Sequence, residues 1–285
     1  MQKWAEDYEK LLLKATEYSG SRQSDEKVIS ASSINKEPYN LLIQHLFSKK
    51  EQDSYGANTI GSIYQLGVDN AIKSLEPDRY EIARRMEIML PNGWKVSGEL
   101  DVFDKQENII IDNKVISDYS YKEVMKNNID SDYNLQVATY IMLDHMLKTE
   151  DQITSGSAYK EPACGALAIT NKGGSAVKNN IQTYLDLFTY SPEEMYNLFI
   201  EKSNQLQEML DEYNSTGKLP DEICDTFKYG AEKGIPKRCL YYCDYNSVCP
   251  AFVKKEAHFE RKIINGLESG KKDKQKEEYI RPMTF

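Results

Sequence analysis

The sequence predicts an α/β fold, and four stretches carry that prediction. Residues 94–103 alternate apolar and polar side chains, the period of two that marks a strand, and 109–111 open a second strand with a short apolar run. Residues 131–148 read as a helix, and Ser191-Pro192-Glu193-Glu194 opens another with a cap, a first-turn proline and acids at the positive end. Between them, ACGALAIT at 163–170 is an apolar strand, so strands lie on both sides of a helix along the chain.

Taken in order, residues 1–50 read as a helical N-terminal arm. WAEDYEKLLLKATEY has apolar positions at helical spacing, and Ser32 or Ser33 offers a cap before a second apolar run in PYNLLIQHLF. Residues 56–75 form a helix leading into the core, broken by Pro77-Asp78. Residues 79–91 alternate and end in the turn signal Pro91-Asn92-Gly93, which predicts a hairpin with the strand at Trp94. Glu87 lies on the polar face of that segment and reads either as an exposed strand carboxylate or as one that approaches the site.

In the next strand Trp94, Val96, Gly98, Leu100 and Val102 share one face and Asp101 takes the other. Asp104 to Asn108 suits a turn. Ile109-Ile110-Ile111 then begins a strand buried on both faces, and Asp112 and Lys114, two apart, point to one side of it. Charge inside an apolar strand is costly unless paired or metal-bound. One reading is a salt-bridged pair at the end of an edge strand. The other joins Asp112 to Asp101 on the neighbouring strand as oxygen ligands for Mg²⁺ or Mn²⁺, with the Asn113 carbonyl as a third oxygen. A lysine beside such a metal can orient the attacking water and offset developing negative charge.

Beyond Lys114, the stretch with Asp118, Tyr119, Tyr121, Lys122 and Lys126 reads either as a groove lining for DNA or as a solvated loop. On the 131–148 helix, Gln136 and Tyr140 stand one turn apart on one face, as packing groups or as functional ones. His145 on the same helix reads as structural. Residues 181–190 suggest more sheet after Gly173-Gly174. The helix from Ser191 runs to about Tyr213, with Gly217 and Pro220 beyond its end.

Cys224, Cys239, Cys243 and Cys249 crowd one segment, with the last three inside eleven residues. Such spacing points to a metal rather than disulfides. Four thiolates suit Zn²⁺ or a 4Fe-4S cluster equally, in a structural role that clips the C-terminal segment to the core. Cys164 falls on the apolar strand as a core residue. The tail from residue 269 is charged.

The 285 residues carry a net charge of −9, which argues against a protein that coats nucleic acid non-specifically. A hydrophobic content of 40% suffices for a packed core. The absence of a signal-like or membrane-spanning run predicts a soluble, cytoplasmic protein without membrane partners.

Gly98-Glu99-Leu100-Asp101 followed by Ile111-Asp112-Asn113-Lys114 resembles the G-x-x-D and (D/E)-x-K core of the PD-(D/E)XK nuclease superfamily. Gln136 and Tyr140 are similar to the Q-x-x-x-Y motif of its RecB-like exonuclease branch. The resemblance spans about residues 30–250, with its specific motifs at 98–140. It implies a restriction-endonuclease-like core, a mixed sheet flanked by helices, over residues 51–215. The helical arm over 1–50, a cysteine-rich segment over 216–260 and a charged tail over 261–285 flank it. It implies metal-dependent hydrolysis of DNA, with exonuclease action favoured because the branch is rich in exonucleases. Recombination or replication proteins are the implied partners. Asp101 and Asp112 would bind the metal, Lys114 would position the water, and Gln136 and Tyr140 would hold the substrate strand or the lysine. The branch often carries G-x-x-x-H-x-x-x-E on the preceding helix. Gly61, Gln65 and Asp69 take that spacing here, which makes Asp69 a further candidate ligand and Gln65 a departure. Where iron–sulfur members have a cysteine-proline pair, this chain has Glu37-Pro38, so Cys224 would complete the cysteine quartet. A nuclease fold kept as a DNA-binding or scaffolding subunit is the alternative reading, and an iron–sulfur redox protein a third.

Overall fold

The computed structural model describes residues 27–47, 55–127, 131–155, 163–172, 183–219, 231–232, 235–236, 243, 245 and 249. The expected first helix, Gly173-Gly174, Pro220, Cys224, Cys239 and the tail lie outside the described residues.

A six-stranded mixed sheet forms the centre, flanked by helices. Its elements run β1 (Val28–Ser30), α1 (Pro38–Leu46), α2 (Tyr55–Leu75), β2 (Tyr80–Met89), β3 (Lys95–Asp104), β4 (Ile109–Ile116), α3 (Asp118–Asn127), α4 (Ser131–Ser155), β5 (Cys164–Asn171), β6 (Thr183–Phe188) and α5 (Pro192–Thr216). The strand order is β1-β3-β4-β5-β6, with β2 paired to β3. A two-stranded ribbon, β7 (Ala231–Glu232) and β8 (Ile235–Pro236), follows.

The hairpin of β2 and β3 follows from its alternation and its turn. Gly93 takes φ +82°, the left-handed region that glycine enters without steric cost. Trp94, Val96, Leu100 and Val102 are all buried, as their shared face requires. The turn into β4 is fixed by Asp104, whose Oδ1 accepts the amides of Gln106 and Glu107 while Arg79 pairs with Oδ2 at 2.6 Å. The Arg79 guanidinium holds the Asp104 carboxyl below the usual carboxylate range.

Parallel β4 and β5 need a crossover, and α3 with α4 supplies it. Helix α4 packs so closely on β5 that a Cβ at Gly165 would collide with Val137 Cγ1. Helix α2 lies on the other face, where Tyr64 meets Thr170 and Gln65 meets Asn113, each one residue out of step with the α4-facing set. The start of α5 is as its sequence predicts. Ser191 Oγ accepts from Glu194 N, Pro192 fills the first turn, and Gly217 closes the helix at φ +66°.

Four expectations are corrected. Val28–Ser30, expected as part of a helical arm, is a strand pairing in parallel with Lys95–Ser97. Its three residues are too few to show a period, and pairing to β3 decides their state. Neither Ser32 nor Ser33 caps α1. Ser33 ends a 3₁₀ turn, and Glu37 stands at the cap of a helix that begins with Pro38. The stretch 118–127 is a helix rather than a loop; its apolar face is short, with Tyr121 and Val124 packed on the core among polar neighbours. Helix α4 runs to Ser155, well past Lys148.

Candidate active site

The site forms where β3 and β4 part. Their antiparallel ladder covers only Asp104–Ile109, Phe103–Ile110 and Val102–Ile111. Carried one step further, that register sets Asp101 opposite Asp112, and opposite residues of an antiparallel pair share a face. Strand β2 runs the length of one edge of β3. The other edge is shared by β4 at residues 102–104 and β1 at 95–97, leaving Gly98 to Asp101 between them. At the fork a side chain replaces the ladder bond. Asp101 Oδ2 accepts the main-chain amide of Asn113 at 2.7 Å. Asp101 also stands opposite Ala83, whose φ of +53° falls where β2 and β3 omit a bridge.

Asp112 is 1% exposed. Lys114 Nζ donates to its Oδ1 at 3.0 Å and lies 2.7 Å from Oδ2, yet Oδ2 has no partner in hydrogen-bond alignment. Lys114 also faces the Tyr133 ring, 5.6 Å from its centroid. Burial pushes the Asp112 carboxyl upward against the pull of Lys114. Asp101 is pushed up to about 7, by burial first and by the Asp112 charge second, while the Asn113 amide and Lys114 oppose the rise. A buried carboxyl whose proton affinity is raised by a second carboxylate marks a site short of positive charge.

Helix α4 supplies the roof. Gln136 Nε2 donates to Tyr140 Oη at 2.8 Å, and Tyr140 is buried against Gly98. A Cβ at Gly98 would stand 2.7 Å from Tyr140 Cε1 and 3.0 Å from Ala31 Cβ, so the glycine of the G-x-x-D stretch is needed for close approach. Burial raises the Tyr140 hydroxyl's proton affinity, and the Asp112 charge adds to it, so this hydroxyl stays neutral.

Helix α2 closes the other side. Gln65 Oε1 accepts from Asn113 Nδ2 at 3.3 Å, and Gln65 Nε2 donates to Asp69 Oδ1 at 2.8 Å. The sequence pattern held Gln65 for a departure. The structure makes it the link between Asp69 and the D-x-K strand. Tyr133, one turn before Gln136, went unread; only that spacing could have suggested it.

Among the described residues, no three His, Cys, Asp or Glu side chains gather as a metal-binding group. A hard cation here would rest on the Asp101 and Asp112 carboxylates, completed by main-chain or solvent oxygens. The buried, unaligned Oδ2 of Asp112 and the mutual repulsion of the two acids fit such an ion. Of the cysteines, Cys243 Sγ accepts from Asn40 Nδ2 at 3.7 Å and Cys249 Sγ lies 3.9 Å from Tyr39 Oη, both on the first turn of α1. Cys164 starts β5. Glu87 pairs with Lys95 at 3.4 Å and lies outside the site.

No family model and no curated protein matches the chain. Among solved structures, it is similar to the crystal structure of SSO0001, with a TM-score of 0.51, 17% identity, and coverage of 86% of this chain and 96% of that one. It also matches an alkaline exonuclease from Laribacter hongkongensis, at a TM-score of 0.45, 12% identity and coverage of 67% and 92%. A phage-related exonuclease from Haemophilus somnus 129PT matches at 0.34, 12%, 67% and 96%. The likeness to SSO0001 establishes the fold alone, a mixed sheet flanked by helices.

Proposed function

We propose that this protein is a metal-dependent deoxyribonuclease of the PD-(D/E)XK type, acting as an exonuclease of the RecB-like kind. The observation that carries the reading is the fork of β3 and β4, which presents Asp101, Asp112 and Lys114 together under Gln136 and Tyr140.

The residues present would hold Mg²⁺ or Mn²⁺ between Asp101 and Asp112, with the Asn113 carbonyl as a further oxygen and Asp69 behind Gln65. Bound there, the ion would lower the pKa of water and polarise the phosphoryl group. The chain's own groups do the rest. Lys114 is anchored on Asp112 and can hold the attacking water and offset charge on the phosphoryl oxygens. Asp101, whose proton affinity lies near neutral pH without an ion, would give up that proton to a cation bound there. Gln136 and the neutral Tyr140 hydroxyl orient the substrate strand or the lysine. We further assign Cys239, Cys243 and Cys249, with Cys224, to a Zn²⁺ or 4Fe-4S clip that ties the C-terminal segment to α1. The support is the seating of Cys243 and Cys249 on Asn40 and Tyr39. A recombination or replication protein is the partner class that this reading implies.

The test compares end-labelled linear DNA with closed circular DNA in Mg²⁺, Mn²⁺ or EDTA. Loss of linear DNA alone, only with metal and absent in Asp112→Ala, is the expected result. DNA binding without cleavage of any substrate would replace the enzyme with a scaffolding subunit on the same fold.

A further inference from the structure

We propose that Arg84, Asp144 and Lys148 are positioning residues that fix the fork of β3 and β4 against α4. The inference rests on the nuclease reading above and adds to it a device outside the metal ligands.

Gln136, Tyr140, Asp144 and Lys148 fall at intervals of four along α4, one stripe on one face. The first pair roofs the site. The second pair grips β2, the neighbour of the strand that carries Asp101, and the turn that leads to the strand carrying Asp112. Asp144 is 3% exposed and takes Arg84 Nη2 at 2.7 Å and Lys148 Nζ at 2.7 Å. Arg84 follows Ala83, the left-handed residue opposite Asp101. Lys148 Nζ also donates to Asn108 Oδ1 at 2.9 Å, and Asn108, at φ +55°, is the last residue of the turn before β4. Phe103 lies between the two cations, 4.3 Å from the Arg84 guanidinium and 5.7 Å from the Lys148 ammonium. Phe103 is two residues past Asp101 and pairs with Ile110, two residues before Asp112. One buried acid on α4 therefore reaches β2 beside Asp101 and the turn that leads to Asp112.

Stability alone does not account for this cluster. Buried ion pairs are often no better for stability than apolar side chains of similar volume. Arg84 Nε is buried with no hydrogen-bond partner, a cost that an apolar replacement would avoid. What the charges add is direction. A guanidinium and an ammonium on one carboxylate allow one register of α4 over the fork, whereas apolar contacts allow sliding.

The test replaces both ends of the central pair, Arg84→Met with Asp144→Leu. Three quantities are measured: the melting temperature, the Mn²⁺ affinity of metal-free protein by calorimetry without DNA, and kcat and KM on linear DNA. The clamp predicts that the double variant melts within a few degrees of the wild type. It also predicts Mn²⁺ binding weakened about tenfold and kcat lowered about 10–100-fold, the range for removing groups that orient metal ligands, with KM nearly unchanged. Lys148→Met, which leaves the Arg84–Asp144 pair in place and frees the turn, shifts the same quantities in the same direction and serves if the double variant does not fold. A folded variant with wild-type Mn²⁺ affinity and kcat overturns the clamp alone. A wild type that neither binds Mn²⁺ nor cuts DNA overturns the nuclease reading, and the clamp with it.

Discussion

Asp101 and Asp112 illustrate at the scale of single residues why a site costs stability. Each sits where its charge is disfavoured, and the Asp101 carboxyl rises from 3.8 to about 7. Between those values the folded protein holds a proton that the unfolded chain has released. Metal-free stability is therefore largest below the lower value and falls as pH rises toward 7. Asp101→Asn keeps an acceptor for the Asn113 amide and removes the charge. The variant should melt higher than the wild type at pH 8 in EDTA, by about 3 °C or more, and differ little at pH 4. Calorimetric scans at the two pH values check this, and a larger gap at pH 4 would contradict it. Lys114 has the opposite role, since its ammonium offsets the charge of Asp112. Lys114→Ala should lower turnover about 10²–10³-fold, the scale of one lost electrostatic contact to a developing anion.

At the scale of elements, the fork is made by what is small. Gly98 lets Tyr140 descend onto β3, and an alanine there would meet the ring at 2.7 Å. Gly98→Ala should cost about 1–3 kcal/mol in chemical denaturation, the usual price of overpacking. In a Tyr140→Leu background the same change should cost less, because the two positions are coupled. Equal costs in both backgrounds would mean that the contact is not the cause. At the start of α5, Ser191→Ala should cost about 1 kcal/mol by the same measurement, from the lost bond to Glu194 N.

These elements were legible to different degrees for physical reasons. The β2–β3 hairpin shows its period and its glycine turn, and α5 shows its cap, so both follow from local sequence. Asp101, Asp112 and Lys114 were readable as a set because strand periodicity fixes their faces. Val28–Ser30 is too short for a period, and the apolar face of α3 is limited to a single turn, Tyr121 with Val124. The bonds from Gln65 to Asn113 and from Asp144 to Arg84 join elements far apart in sequence. No local pattern encodes such contacts, and tertiary packing alone brings them together.

Across the whole molecule, one mixed sheet holds α4 on the face of Asp112 and Lys114 and α2 on the other, and the chain's chemistry collects where two strands separate. Among the described residues no helix is long and apolar enough to cross a membrane. The chain's net charge of −9 sets a general repulsion toward DNA, which a cation between the acids and lysines nearby would relieve only locally. Binding to DNA should therefore weaken only modestly with salt and strengthen with Mg²⁺ in the wild type, but respond less to Mg²⁺ in Asp112→Ala; filter binding across a salt series checks both slopes. The most direct measurement is hydrolysis of linear DNA by the wild type and Lys114→Ala side by side, in Mn²⁺ and in EDTA. The account predicts cleavage by the wild type in Mn²⁺ alone and almost none by the variant. Cleavage that survives EDTA, or equal rates for the two proteins, would contradict it.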